Sequence, residues 1–146
     1  MIFKYMNKVT FFLMVLLMLG NVSCSDESET KLKIGFIVKQ PEEPWFQYEW
    51  QFADKAAAQY GFKVIKIGAP DGEKVLTAID NLAAGGAKGF VICTPDVHLG
   101  PAIMARAKSH RMKVISVDDQ FVGADGTHML DVPYLGISAY QIGRSV

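Results

Sequence analysis

The chain has 146 residues, half of them hydrophobic, and its 15 basic and 15 acidic residues give a formal net charge of zero. This length is enough for the core of one domain. The absence of a basic excess argues against a nucleic-acid partner, because nucleic-acid binding calls for a basic stripe.

The first 23 residues have the pattern of a secretory signal peptide. Lys4 and Lys8 form a basic start, and the stretch from Val9 to Gly20 is almost wholly apolar. About a dozen apolar residues is short for a membrane span and typical of a signal-peptide core. Removal of this segment takes away both lysines, so 13 basic residues face 15 acidic ones and the mature chain has a net charge of −2.

The end of this segment resembles a bacterial lipobox, in which a cysteine is lipidated after cleavage. Val22 and Ser23 precede Cys24, but Asn21 stands where a lipobox usually has Leu, so ordinary cleavage nearby is the alternative. We predict lipidation at Cys24, followed by a flexible acidic tether over residues 24–31. The protein is then expected in the periplasm or cell envelope, with a lipid anchor as its only link to a membrane.

Five strand-like runs alternate with helical patterns along the rest of the chain. The runs are Lys33–Lys39, Lys63–Gly68, Gly89–Thr94, Lys113–Val117 and a weaker one at Tyr134–Ile137. Apolar residues recur at helical spacing from Phe46 to Tyr60, from Leu76 to Ala83 and from Leu99 to Ala107. Strands that recur about every 25–30 residues with helices between them are typical of parallel βαβ units. We predict an α/β domain over residues 32–137 with a doubly wound parallel sheet in the order 2-1-3-4-5; half of a (β/α)8 barrel is the alternative.

The end of the first predicted strand is the most informative part of the chain. Pro41 and Pro44 break the strand, and Pro44 suits the first turn of the helix that follows. Lys39, Glu43 and Trp45 therefore cluster where the strand ends and the helix begins. In an open parallel sheet, ligands bind in the crevice beyond the carboxyl ends of the strands. A basic donor, a carboxylate and an aromatic ring together suit a polyhydroxylated, carbohydrate-like ligand.

Acidic residues follow the other predicted strands. Asp71 and Asp96 each precede a helical pattern, so both are interpreted first as helix caps. The pair Asp118-Asp119 closes the fourth strand and by itself fits turn chemistry as well as ligand binding. The binding interpretation gains weight because all these positions converge on one crevice. Cys93, inside the third predicted strand, is interpreted as a small buried hydrophobe.

Several other types of site are excluded by position. The glycines of residues 85–89 join a helix to a strand, whereas phosphate-binding loops join a strand to a helix. His98, His110 and His128 lack the spacing of metal ligands, and Cys93 has no partner in a CxxC motif. We expect no metal, no cofactor and no catalytic residue, and therefore no enzyme.

Four segments resemble the periplasmic L-arabinose-binding protein family. They read KIGFIVKQPEEPWFQYEWQFADKA, GFKVIKIGAPDGEK, AIDNLAAGGAKGFVICTPD and MKVISVDDQFV. The resemblance is nearly colinear over residues 31–133. It implies the first of two α/β lobes that close on one monosaccharide and deliver it to the permease of an ABC importer.

The resemblance also implies a ligand set in this lobe. Its sugar hydrogen-bonding positions match Lys39, Glu43 and Asp119, with Asp118 beside them in the cleft. The aromatic and apolar wall matches Trp45 and Phe46, and a cysteine close to the sugar matches Cys93. Ile137 stands where the family carries a Met that bears on the choice between a pentose and a hexose, so the resemblance leaves the sugar open between L-arabinose and D-galactose or a similar one.

The end of the chain departs from the family. Residues 138–146 resemble the start of the crossing to the second lobe, and the family's remaining ligands, an Arg and two Asn, have no counterpart here. We therefore expect an N-terminal part of a receptor. A sugar-sensing input for chemotaxis or for a sensor kinase is the main alternative function. A glycosidase is a weaker alternative, because the adjacent Asp118 and Asp119 cannot flank a glycosidic bond by spacing alone.

Overall fold

The computed structural model describes residues 31–137 and 139–145 of the chain. The predicted signal peptide, Cys24 and nearly all of the predicted tether lie outside the described residues. The strands are β1 (Lys33–Val38), β2 (Lys63–Gly68), β3 (Gly89–Ile92), β4 (Lys113–Val117) and β5 (Tyr134–Leu135). The helices are α1 (Pro44–Tyr60), α2 (Gly72–Ala84), α3 (Gly100–Ser109) and α4 (Ala139–Arg144).

The five strands form one parallel sheet in the order β2-β1-β3-β4-β5, which confirms the predicted fold class and strand order. β2 and β4 have the predicted bounds, whereas β1, β3 and β5 each end one or two residues early. Lys39 and Thr94 therefore lie beyond the strands that were expected to contain them. This places their backbone at the carboxyl edge of the sheet, where a ligand crevice is expected.

α1 begins and ends at residues suited to those positions. Pro44 occupies its first turn, where the missing N–H is no loss. Gly61 ends it in the left-handed region with φ 74°, and its N–H donates to the carbonyl of Ala57. Tyr60 was predicted on the buried face of this helix but is 72% exposed. The apolar face therefore stops one turn earlier, at the half-buried Ala57.

Two of the acidic residues after strands are helix caps, as interpreted. The carboxylate of Asp71 accepts from the backbone N–H of Lys74 at 2.9 Å and starts α2. Asp96 accepts from the backbone N–H of His98 at 2.9 Å, and it caps the short 3-10 turn Val97–Leu99 that precedes α3. Both carboxylates thereby satisfy backbone donors that a helix start leaves unpaired.

The core is divided between the two faces of the sheet. α2 and α3 cover one face, where buried side chains include Ile37, Phe90 and Ile92 from the strands and Ile79 and Leu82 from α2. Successive strand residues point to opposite faces, so the intervening residues form a second, smaller cluster under α1. Its buried members are Phe36 and Val38 of β1, Cys93 directly after β3, and Phe46 of α1.

The face under α1 is only partly covered. α1 packs against β1 and β2, and a groove of about 400 Å³ lies beside it over the rest of that face. Phe52, Val91, Val117 and Leu135 are among the residues that line the groove. In the described part of the chain, no helix is long and apolar enough to cross a membrane.

Candidate functional site

Three neighbouring strands end side by side at the carboxyl edge of the sheet. β1 pairs with β3, and β3 pairs with β4, all in parallel. Lys39, Cys93 and Asp118 are the residues that directly follow these three strands. Because parallel strands place their carboxyl ends at one edge, the three side chains start from adjacent points. The predicted convergence is therefore a consequence of the strand order.

Lys39 and Asp119 form an ion pair across this edge. The Lys39 Nζ atom donates to Asp119 Oδ2 at 2.7 Å, and the two side chains are 29% and 37% exposed. Burial lowers the pKa of Lys39, but the hydrogen bond to Asp119 and the negative charges nearby outweigh it, so the pKa is raised. An ammonium has three donors and a carboxylate about four acceptor sites, so both groups keep capacity for a ligand.

Cys93 lies beneath this ion pair. Its Sγ atom donates to the same Asp119 Oδ2 at 3.7 Å, and the residue is 0% exposed. Burial raises the pKa of the thiol to about 12. The sulfur is therefore protonated at neutral pH.

Trp45 and Asp118 form the second polar contact of the site. The indole Nε1 donates to Asp118 Oδ2 at 2.8 Å, and Trp45 remains 52% exposed, so its ring is open to a ligand. Asp118 has φ 63°, a left-handed conformation that Asp tolerates better than most residues. Its carbonyl accepts from the Tyr134 hydroxyl at 2.9 Å, and its N–H donates to the Leu135 carbonyl. These two bonds, both to β5, hold the strained residue in place.

The other predicted site residues make none of the polar contacts described above. Phe46 was expected in the wall of the site, but it is 4% exposed and packs in the core with Phe36, Val38 and Cys93. Glu43 is exposed at the start of α1, and its side chain makes no capping hydrogen bond. Ile137 is 62% exposed, two residues after β5.

Glu49 interacts with Asp118, Trp45 and Lys39, although the sequence pattern did not predict it as a site residue. It follows Trp45 by four residues on α1, the spacing that places two side chains on one helix face. Burial, and then the charge of Asp118, raises the pKa of Glu49 to about 7, against the opposing effects of Trp45 and Lys39. The helical spacing was the signal that would have identified it.

The arrangement suits the binding of hydroxyl groups. It offers one ammonium, three carboxyl groups and an open aromatic face within one crevice. Hydrogen bonds between ionised groups and hydroxyls are short and strong. Within residues 31–137 and 139–145, no cluster of three or more His, Cys, Asp or Glu side chains is arranged to hold a metal ion.

Sequence relatives of the chain are transport proteins. The chain is 66% identical over 113 residues to the L-arabinose-binding periplasmic protein of Escherichia coli (strain K12). The matched segment covers 77% of this chain and 34% of that protein. It is 56% identical over 119 residues to an ABC transporter L-arabinose-binding periplasmic protein of Azospirillum brasilense, covering 82% of this chain and 36% of that protein. The chain therefore spans about a third of the length of these relatives.

Two solved structures with a similar fold contain a bound sugar or polyol. The Caulobacter myo-inositol binding protein matches with a TM-score of 0.65 at 22% identity, over 78% of this chain and 38% of that one. A carbohydrate transporter solute binding protein from Chloroflexus aurantiacus, in complex with D-glucose, matches with a TM-score of 0.62 at 25% identity. The match covers 79% of this chain and 33% of that one. Residues 31–145 match the family described as periplasmic binding proteins and sugar binding domain of the LacI family. The chain belongs to this family.

Proposed function

We propose that this chain is the first, sugar-binding lobe of an extracytoplasmic receptor that captures a monosaccharide, L-arabinose or a similar pentose or hexose, for an ABC importer. The observation that carries the proposal is the pair of contacts Lys39–Asp119 and Trp45–Asp118, which align donors, acceptors and an open ring at one sheet edge. The names of the two sequence relatives support the sugar and the transporter class.

In this proposal the residues have separate roles. Asp119 accepts hydrogen bonds from sugar hydroxyls at the acceptor sites that Lys39 does not occupy. Lys39 donates to a ring oxygen or a hydroxyl oxygen of the sugar. Trp45 covers the sugar's C–H face with its exposed ring. Glu43 becomes a ligand by turning toward the crevice from its exposed position at the start of α1. The protein binds its ligand without chemical change and acts as no enzyme.

The rest of the ligand contacts are proposed to come from a second lobe. The chain spans about a third of the length of its relatives, and a single crevice edge leaves the opposite face of a sugar in water. Closure of a second lobe removes that water and strengthens every charged hydrogen bond inside. α4 (Ala139–Arg144), which begins two residues after Ile137, then starts the crossing.

Sugar titration tests the proposed function. L-arabinose and D-galactose are titrated by calorimetry into the protein expressed from its native gene, with sucrose as the control for a ligand too large to be enclosed. Micromolar or tighter binding of one monosaccharide supports the proposal. Binding of neither, with the protein folded by circular dichroism, rejects it.

The cellular location is part of the same proposal. The relatives are described as periplasmic, which supports residence outside the inner membrane, with the permease of the importer as the partner. We further propose a signal peptide over residues 1–23 and a lipid anchor at Cys24, because Val22, Ser23 and Cys24 resemble a lipobox. Two or more acyl chains would hold the protein stably on a membrane. Metabolic labelling with a fatty acid, in wild type and in Cys24→Ala, tests the anchor; equal labelling of both proteins rejects it.

A further inference from the structure

Glu49 lies one helical turn after Trp45 on α1, and its carboxyl interacts with Asp118, the first residue after β4. Its partner across the gap, Asp118, already accepts the Trp45 indole N–H at 2.8 Å through Oδ2. The Oε2 atom of Glu49 is buried, and within the described residues it has no hydrogen-bond partner. A buried carboxylate oxygen without a donor costs free energy, whereas a protonated carboxyl is itself a donor.

The charges around Glu49 come from every element that meets at this edge. Asp118 after β4 opposes a negative charge on Glu49, and Lys39 after β1 favours it. Cys93 after β3 is neutral, because burial raises the pKa of its thiol to about 12. Asp119 is paired with Lys39 at 2.7 Å, so the lysine charge is already largely compensated. The largest effect of a neighbouring charge on Glu49 is therefore that of Asp118, and two carboxyl groups in such a site favour sharing one proton.

We propose that Glu49 is a positioning residue, whose protonated carboxyl donates a hydrogen bond to Asp118 and so fixes Asp118 and the Trp45 ring at the end of β4. Asp118 then receives one donor from Trp45 and one from Glu49. This compensates its left-handed backbone, φ 63°, and holds the indole ring in a fixed orientation over the crevice.

The proposal predicts a pH dependence with a definite sign. Burial and the Asp118 charge raise the pKa of Glu49 to about 7, so the carboxyl holds its proton below that pH and loses it above. Loss of the proton removes the donor and sets two negative charges against each other. Asp118 and Trp45 are then released as the pH rises, and Lys39 retains its proton throughout this range.

The consequence for ligand binding rests on the proposed function. If only the form with protonated Glu49 is competent, its fraction falls about tenfold between pH 6 and pH 8 for a pKa of about 7. The apparent affinity for a monosaccharide then falls by up to about tenfold over the same range, because affinity scales with the competent fraction.

The NMR resonance of the Trp45 indole N–H reports directly whether its hydrogen bond to Asp118 is held, without any sugar. In 15N-labelled protein, its resonance is followed from pH 5 to pH 9 and assigned by loss of the peak in Trp45→Phe. We expect a shift with a midpoint near pH 7. The second indole, Trp50, donates to the Phe36 carbonyl at 3.3 Å and serves as an internal reference that stays unshifted.

Two variants separate positioning from general stability. Glu49→Gln keeps a side-chain donor for Asp118 but cannot titrate, so we expect the Trp45 resonance to stay in its low-pH position up to pH 9 and sugar affinity to be independent of pH. Glu73→Gln makes the same chemical change at an exposed position on α2 and should behave as wild type.

Each result supports or rejects the proposal. A flat Trp45 titration in wild type, or an unchanged titration in Glu49→Gln, overturns it. A titration near pH 7 that is lost in Glu49→Gln supports it even if no monosaccharide binds at any pH, a result that rejects the proposed function alone. Sugar binding with a flat Trp45 titration supports the function and rejects the role of Glu49.

Discussion

The Nζ atom of Lys39 and the Oδ2 atom of Asp119 lie 2.7 Å apart, although 80 residues separate them in the chain. The contact joins the ends of two strands that are not adjacent in the sheet, because β3 lies between β1 and β4. Cys93, which follows the intervening strand β3, donates to the same oxygen of Asp119. The sheet order therefore assembles the centre of the site.

Replacement of Asp119 should weaken monosaccharide binding more than any other single change in this lobe. A hydrogen bond to a charged group contributes about 1.5–3 kcal/mol, so Asp119→Ala should reduce affinity by about 10- to 150-fold. Calorimetric titration of the protein from its native gene measures the change. Asp131→Ala, at an exposed position, is the matched control and should leave affinity unchanged.

Unchanged affinity in Asp119→Ala would remove this residue from the site. The resemblance to sugar receptors would then concern the fold alone. The ion pair with Lys39 would become a structural contact at the sheet edge.

The sequence predicted the fold and the meeting of polar side chains at one sheet edge, because both depend on local patterns. Hydrophobic runs with β-branched residues locate the strands, and counting residues from a strand end places Lys39, Cys93 and Asp118 at one edge. The rule of right-handed crossovers between parallel strands also restricts the possible strand orders to a few, and the predicted order is among them. These features need no knowledge of how one element is rotated against another.

The rotation of α1 explains what the sequence did not predict. Trp45 and Phe46 are adjacent aromatic residues, yet one is 52% exposed at the site and the other is 4% exposed in the core. In the sequence, both residues suit the apolar wall of a sugar site. Only the packing of α1 against β1 and β2 determines which of them is exposed. The same rotation turns Glu49 toward Asp118. The left-handed φ of Asp118 is likewise a tertiary property, set by its hydrogen bonds to Tyr134 and Leu135.

Ile137 should affect the choice of sugar more than the strength of binding. A side chain beside the variable carbon of the sugar determines whether a hydroxymethyl group fits. Ile137→Met should therefore change the ratio of affinities for L-arabinose and D-galactose, as measured by parallel titrations. Leu130→Met, at another exposed apolar position, is the control. An unchanged ratio would place Ile137 outside the site.

Cys93 should be unreactive toward thiol reagents in the folded protein. Burial raises its pKa to about 12, so only about one thiol in ten thousand is ionised at pH 8. In a Cys24→Ser background, a disulfide reagent should label Cys93 slowly in buffer and completely in concentrated urea. Rapid labelling of the folded protein would contradict the buried, protonated state.

The acid stability of the protein should depend on Asp80. Hydrogen bonds from His110 and Arg106, at 2.8 Å and 2.5 Å, join α2 to α3 and hold the pKa of this carboxyl below its usual value of 3.8. A lowered pKa means that the unfolded chain binds the proton more tightly, so the stabilisation is present above the usual pKa and is lost as the pH falls through the lowered one.

Asp80→Asn tests this dependence. The melting temperature of the variant should lie below that of wild type at pH 6, and the difference should shrink as the pH falls from 4 to 2. Thermal unfolding followed by circular dichroism measures both proteins. A difference that stays constant over this range would mean that the carboxylate charge makes no contribution.

The close approach of α2 to the centre of the sheet should appear as coupling between two residues. Gly35 lies on β1 beneath Leu82, and a Cβ atom added at Gly35 would come within 2.8 Å of Leu82 Cδ2 and 3.0 Å of Phe90 Cβ. Gly35→Ala should therefore cost about 1–3 kcal/mol of unfolding free energy by overpacking. Leu82→Ala should cost about 2–5 kcal/mol by leaving a cavity, because Leu82 is 1% exposed.

The double variant should cost less than the sum of the two, since the added methyl group occupies part of the space that Leu82 vacates. A coupling of about 0.5–3 kcal/mol in the favourable direction is expected for residues in direct contact. Urea denaturation of wild type, both single variants and the double variant gives the four free energies. Strict additivity would show that the backbone shifts to relieve the added methyl group, so that Leu82 is not the side chain that requires glycine at this position.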